Sequence, residues 1–202
     1  MKNILVVHSS ISGEQGQSNQ LIEQFVQQLP AGFQRTDLDL VALAQPHLTM
    51  TEIGAWMTPA AERSPEQQAL AALSDDAIAA VTAADVILIG VPMYNFGVPS
   101  QLKAWLDRLA RAGITFKYTE QGPVGLLADK PVVFFATRGG LYQGTAADSQ
   151  TPYLQTFFNF IGLKQLHFVF AEGLNMGPDA ASAALAAAKA KISEFAAQIN
   201  FA

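Results

Sequence analysis

Asn3-Ile4-Leu5-Val6-Val7-His8-Ser9-Ser10-Ile11-Ser12-Gly13-Glu14-Gln15-Gly16-Gln17-Ser18 is the stretch on which the fold turns. Asn3 to His8 is an apolar run of strand length. It passes through Ser9-Ser10 into a polar loop, Ser12 to Gln17, and a helix opens at Ser18. A buried strand that ends in a Ser/Gly-rich turn ahead of a helix start makes an anion cradle. The first helical turn leaves its N–H groups unbonded, and the positive end of the helix dipole faces the loop. The hydroxyls of Ser10 and Ser18 and the amide of Gln17 add neutral donors. The loop carries Glu14 and no Lys or Arg. That suits a phosphate monoester on a held cofactor better than a phosphoryl group in transfer, which usually needs Lys or Mg²⁺.

Outward from this stretch, four more apolar runs follow: Arg35–Leu40, Val86–Gly90, Val132–Ala136 and Leu166–Ala171. Four of the five runs are near-continuous in Val, Ile, Leu and Phe, which is how parallel strands covered on both faces read. Helical patterns lie between and after them, at Ser18–Leu29, Pro65–Ala83, Pro99–Ala112, Thr151–Ile161 and Asp179–Ile199. Pro99 after Val98, and Pro178 with Asp179, are entry signals. Alternating strands and helices predict a doubly wound α/β sheet with helices on both faces. Five strands favour the order 2-1-3-4-5, with ligand loops after strands 1, 3 and 4. Residues 1–202 read as one domain. The connection from Val41 to Ser64 is too long for a simple loop and carries Pro46, His47, Trp56, Met57 and Pro59, so an ordered insertion is expected at about 41–64.

Composition removes whole classes of function. Half of the 202 residues are hydrophobic and 14% are charged, and the net charge is −5. A nucleic acid or an anionic membrane surface would demand a basic face instead. The chain has no cysteine, which excludes disulfides, thiolate catalysis and zinc–thiolate sites and is compatible with a reducing cytoplasm. The first apolar run is too short for a signal-peptide core, and no segment reaches the roughly 18 apolar residues that span a bilayer. No His/Asp/Glu spacing points to a metal, no Gly-x-Ser-x-Gly occurs, and no Ser–His–acid arrangement is recognisable.

Two further strand ends carry chemistry. Gly90-Val91-Pro92 continues as Met93-Tyr94-Asn95-Phe96-Gly97-Val98-Pro99. This aromatic–amide–aromatic turn between two prolines is a stiff apolar platform with exposed backbone donors, suited to a flat polar heterocycle. The fourth run ends in Thr137-Arg138-Gly139-Gly140, whose paired glycines permit positive φ and close backbone approach. Taken alone, Ser10 and Ser18 read as turn and cap residues, Gly139 and Gly140 as turn residues, and Arg138 as a solvated or structural charge. Together the three strand ends offer phosphate, ring face and ring edge, the anatomy of a flavodoxin-like flavin mononucleotide (FMN) site.

The chain resembles the bacterial FMN-dependent NADH-azoreductases, also described as FMN-dependent NADH:quinone oxidoreductases, over essentially its full length. The carriers are Leu5-Val6-Val7-His8-Ser9-Ser10, Gln17-Ser18-Asn19, Pro92-Met93-Tyr94-Asn95-Phe96, Phe116-Lys117-Tyr118-Thr119, Thr137-Arg138-Gly139-Gly140 and Phe168-Val169-Phe170-Ala171-Glu172-Gly173. The resemblance implies one non-covalent FMN per subunit, held at Ser10, at Gly16, Gln17 and Ser18, at Met93, Tyr94, Asn95 and Phe96, and at Thr137, Arg138, Gly139 and Gly140. The family often has Ser where this chain has Gly16, so a hydroxyl contact is lost there while the peptide N–H is kept. The resemblance also implies a homodimer whose active site lies at the interface. Tyr118 and Phe160 match the aromatic residues that reach over the neighbour's flavin, and both also read as core residues. The implied activity is two-electron, ping-pong reduction of quinones and azo compounds by NADH in the cytoplasm, with no catalytic side chain beyond the flavin itself. A flavodoxin-type one-electron carrier is the alternative. A phospho-receiver domain on the same topology is rejected, because it needs carboxylates where this chain has Ser9-Ser10 and Gly90-Val91.

Overall fold

The structure is a computed structural model that describes residues 2–198. Its strands, in chain order, are β1 (Lys2–His8), β2 (Phe33–Asp39), β3 (Val86–Pro92), β4 (Phe116–Thr119), β5 (Gly122–Gly125), β6 (Val132–Thr137) and β7 (Leu166–Ala171). Its helices are α1 (Gln17–Val26), α2 (Leu40–Leu43), α3 (Met50–Met57), α4 (Pro65–Ala83), α5 (Ser100–Leu109), α6 (Gln150–Ile161) and α7 (Pro178–Gln198). Five strands form one parallel sheet in the order β2-β1-β3-β6-β7. Counted along that sheet alone, this is the expected 2-1-3-4-5. The helix predicted over Asp179–Ile199 runs past the described residues at Ile199.

The continuous apolar runs are explained by two cores, one on each face. Leu5, Val7, Ile87, Ile89, Val132 and Phe134 face one core, with Val81 of α4, Trp105 of α5 and Phe158 of α6. The intervening Ile4, Val6, Val86, Leu88, Val133 and Phe135 face the other, with Leu21, Ile22 and Phe25 of α1 and Ile192 of α7. Successive side chains point to opposite faces, so a strand covered on both sides has no polar alternate positions. Both β3 and β6 are buried along their whole length. β2 is the exposed edge, and its Arg35 side chain ties Glu23 of α1 to Asp37.

Residues 41–64 hold most of α2 and the whole of α3. Thr49 caps α3 by accepting from the Glu52 N–H. Glu52 then lies buried against Arg108 of α5 at 2.7 Å, with side chains 2% and 0% exposed. Trp56 packs under the Arg111 guanidinium, 5.6 Å from the ring centre. The segment is thereby fastened to the helix that follows the Met93–Pro99 turn.

The antiparallel hairpin β4–β5 was not expected from the sequence. Its strands are four residues long, and one contains Pro123 between two glycines, so neither length nor β-propensity marks it. It seats on α6 through bare backbone. A Cβ on Gly125 would lie 2.1 Å from the Gly162 nitrogen and 2.4 Å from its Cα. Gly162 closes α6 at φ 106°. Gly125→Ala is therefore expected to cost about 1–3 kcal/mol through overpacking. Urea unfolding should show a lower midpoint at unchanged slope; an unchanged midpoint would mean that the hairpin lifts away without cost.

Candidate functional site

Four loops meet at the carboxyl edge of the parallel sheet. The loop after β1 joins the turn after β3 through Tyr94, whose hydroxyl lies 3.3 Å from Ser10 Oγ and accepts from the Ile11 N–H at 3.2 Å. The turn after β3 joins the end of β6 through Met93 N–H to the Thr137 carbonyl, 2.9 Å. The loop after β6 joins the loop after β7 through Gly173 N–H to Gly140 O, Leu174 N–H to Arg138 O and Asn175 N–H to Gly139 O, at 2.9 to 3.1 Å. Three of the sequence-predicted groups, at Ser10–Ser18, Met93–Phe96 and Thr137–Gly140, are thus brought to one edge.

At the start of α1 the backbone is left open. Gly16 occupies the N-cap with φ −64° and ψ 128°. The N–H groups of Gln17, Ser18 and Asn19 have no acceptor among the described residues. Ser18 is fully buried, and its hydroxyl has no hydrogen-bond partner among the described residues. An unpaired buried hydroxyl costs about 1–3 kcal/mol, so its presence beside three free donors and a positive dipole end marks the seat of an anion. Gly16 is matched to its surroundings. A Cβ there would lie 2.3 Å from Ser10 Oγ, so a serine at this position would displace the hydroxyl that meets Tyr94.

The Met93–Phe96 turn is tighter than the sequence implies. Tyr94 and Gly97 exchange hydrogen bonds at 3.1 and 2.9 Å, and Asn95 and Phe96 between them have φ 48° and 65°. This is a type I′ turn, which wants Asn-Gly and here holds Asn-Phe. A non-glycine residue in the left-handed region costs about 1–2 kcal/mol, and strain of this kind gathers at binding sites. Phe96 remains half exposed and meets Tyr142 edge-on at 5.4 Å. The positive φ that Gly139 and Gly140 permit is not adopted there. Those glycines serve close approach instead: a Cβ on Gly139 would lie 2.6 Å from Asn175 Nδ2, and one on Gly140 would lie 2.7 Å from the Tyr142 hydroxyl.

Arg138 does not present its guanidinium at this edge. Its side chain is 0% exposed and bonds Asp148 at 2.9 Å and Glu172 at 3.1 Å. It also donates to Thr151 at 2.9 Å and lies over the Phe170 ring at 5.0 Å. Burial alone would raise the Asp148 carboxyl, but the Thr151 peptide, the Arg138 guanidinium and the Thr151 hydroxyl together hold it below its ordinary value. Tyr118 and Phe160 come together through Phe116, whose ring lies tilted 4.2 Å from Phe160 and meets Tyr118 edge-on at 5.5 Å. Among the described residues no ring contact or hydrogen bond links them to the 93–97 turn. The structure also gathers His8, Glu23 and Asp37 so that their ligand atoms lie within 4.8 Å of one another, which sequence spacing did not suggest. Arg35 already occupies both carboxylates, at 2.5–2.9 Å.

The model of the flavodoxin-like fold family matches residues 2–196 of the chain. A protein of Alteromonas mediterranea, named FMN-dependent NADH:quinone oxidoreductase, is 52% identical over 196 residues, covering 96% of this chain and 98% of its own. This chain belongs to the FMN-dependent NADH:quinone oxidoreductase family. A second member, from Cellvibrio japonicus, is 51% identical over 180 residues, covering 88% of this chain and 90% of its own. Among solved structures, the azoreductase of Bacillus anthracis str. Sterne superposes with a TM-score of 0.89 at 28% identity, over 98% of this chain and 100% of that one.

In this family member, sequence reasoning overlooked several residues that shape the edge. Ser9 is buried and donates to Gly90 O at 2.6 Å. Asn19 Nδ2 donates to Gly13 O at 2.8 Å and folds the loop onto α1. Tyr142, Ser149, Gln150 and Glu172 support the turn and the loop after β6. Ser9, Asn19 and Glu172 lie inside the quoted motifs but carried no stated role; Tyr142, Ser149 and Gln150 lie more than forty residues along the chain from the turn they meet.

Proposed function

We propose that this chain is an FMN-dependent oxidoreductase that uses NADH to reduce quinones to hydroquinones and azo compounds to amines. The observation that carries this reading is the buried, unpartnered Ser18 hydroxyl among three free N–H groups, set at the same sheet edge as the strained Asn95–Phe96 turn. Bound FMN would supply the redox chemistry that links NADH to the acceptor. The chain's own residues hold and orient. Ser10, Gly16, Gln17 and Ser18 would seat the phosphate through N–H and O–H donors, which need no Lys or metal ion. Met93, Tyr94, Asn95 and Phe96 would meet one edge of the ring with fixed peptide dipoles, and Thr137, Gly139 and Gly140 would meet another with bare backbone. Arg138, committed to Asp148 and Glu172, would contribute only its main chain.

Preorganised peptide dipoles lower the cost of added charge, because they need not reorganise when it arrives. One open site that takes NADH and then the acceptor implies ping-pong kinetics. The expected result is a yellow protein that releases one equivalent of FMN per chain on denaturation. Release of FAD, or a colourless protein that takes up no FMN, would end this reading.

The functional unit in this proposal is a homodimer. Tyr118 is 74% exposed on the hairpin, with Ile114, Val124 and Leu126 at 40–45% nearby, and Ile11 and Leu141 are 61% and 63% exposed near the cofactor edge. Apolar groups of this size are better covered by a second copy than by water, and the partner's Tyr118 and Phe160 equivalents would then bound the substrate slot. Sedimentation at assay concentration should give twice the chain mass; a fully active monomer would overturn the shared site. No described helix is long and apolar enough to cross a membrane. The reliance on NADH and the absence of cysteine favour a cytoplasmic setting.

A further inference from the structure

Gln150 opens α6 and is 1% exposed. Its amide faces two ways. Oε1 accepts from Arg138 Nε at 3.3 Å, while Nε2 donates to the carbonyls of Pro92 at 3.1 Å and Gly97 at 2.9 Å. Those two carbonyls bracket Met93–Phe96, so one side chain pins both ends of the turn. Arg138 settles which way the amide lies. A guanidinium only donates, so the amide oxygen must face it and the NH₂ must face the turn. Next to it, Ser149 Oγ donates to the carbonyl of Phe96 itself.

Arg138 is fixed in its turn by Asp148, Thr151 and Glu172. Glu172 also accepts from the peptides of Tyr142 and Gln143, both at 2.9 Å, which places the Tyr142 ring against Phe96. The strained turn is therefore held from both sides by a single buried network. A type I′ turn with phenylalanine at its second central position lacks the glycine that would let it hold itself, and the network supplies what the turn sequence does not.

We propose that Gln150 is a positioning residue for the cofactor: by gripping the Pro92 and Gly97 carbonyls it fixes the Asn95 and Phe96 peptide groups toward the FMN ring and favours the reduced over the oxidised form. The proposal rests on the FMN reading above. Fixed dipoles help most where charge is added, so a loosened turn should weaken binding of reduced FMN more than of oxidised FMN.

The test uses the full chain with Gln150→Glu. Glutamate keeps the length and a partner for Arg138, and it loses both donors to the turn. FMN affinity is read by fluorescence titration of the apoprotein, and the midpoint potential by equilibration with a reference dye. Wild type should bind FMN. The variant should bind oxidised FMN about tenfold more weakly, with a potential lower by about 30 mV, the equivalent of a further tenfold loss for the reduced form in a two-electron couple. Ser149→Ala, at the exposed flank of the clamp, should shift the potential the same way by less, and it carries the test if Gln150→Glu does not fold.

Phe96→Gly supplies the discriminating background, since Asn-Gly forms this turn unaided. There, Gln150→Glu should change the affinity ratio less than threefold. A residue that merely supports the fold would give the same penalty in both backgrounds. Unchanged affinity and potential in whichever clamp variant folds overturns the proposal, and so does an equal shift with and without Phe96→Gly. Wild-type apoprotein that takes up no FMN overturns the FMN reading itself, before any variant is compared.

Discussion

Ser18→Asp is expected to give a folded protein that purifies without FMN. The residue is fully buried in the first turn of α1, beside N–H groups that have no acceptor. A carboxylate there would take the place of the ligand. The free donors would satisfy it, and the dipole end would favour it by about 0.3–1 kcal/mol, so the apoprotein should melt no lower than wild type. The cofactor phosphate would meet a like charge. Two unit charges about 4 Å apart repel by about 4 kcal/mol at an effective dielectric of about 20, which is between two and three powers of ten in affinity. Fluorescence titration of the apoprotein should therefore show at least a hundredfold weaker binding of FMN, with binding of riboflavin, which lacks the phosphate, changed far less. Equal loss of both ligands would mean that the variant damages the ring site, and unchanged FMN affinity would remove Ser18 from the cradle.

Arg138→Met should be the most destabilising single change at this edge, about 3–5 kcal/mol at neutral pH. Methionine fills much of the volume and leaves Asp148 and Glu172, 5% and 12% exposed, without their cation. The pH dependence has a definite sign. In wild type, Asp148 is held below its ordinary value of 3.8, so its contribution to stability is present above that value and is lost as pH falls through the folded-state value. Removing the guanidinium removes one cause of that lowering while burial remains. The variant's Asp148 should take up a proton more readily, and the gap to wild type should narrow between neutral pH and about pH 4. Urea unfolding at both pH values measures this. A gap below about 1 kcal/mol at neutral pH, or one that does not change with pH, would show that the buried charges find other partners.

The sheet was legible because β1, β3 and β6 are covered on both faces and so have apolar side chains at nearly every position. Strand order followed from topology rules and needed no contact information. The cofactor loops were legible where the chemistry is local, as with Ser10, Ser18 and Asn95. What escaped was set by tertiary contacts. Glycine permits positive φ at 139 and 140, yet the structure places it on Asn95 and Phe96, where Gln150 and Ser149, more than fifty residues away, hold the turn. For Arg138 a solvated and a structural charge stayed equally open, because the acids that bury it lie 10 and 34 residues further along. The β4–β5 hairpin has four-residue strands, and its seat on α6 depends on backbone contact between Gly125 and Gly162 that leaves no apolar pattern.

The pairing of β1 with β3 also sets a schedule for the chain as it leaves the ribosome. Asn3 and Asp85 clasp the two strands in register, with 82 residues of separation between them. At about 5–20 residues per second, that interval lasts about 4–16 s. During it the emerged N-terminal segment can pair only with β2, the polar edge strand, and Ile4 to Val7 have no cover from the later strands and helices. Once β3 is released, β6 and β7 add to the same side in the order in which they are made. Translation thus lays down the outer half of the sheet in sequence, and the helices that complete the two cores, α5, α6 and α7, are made only after residue 92.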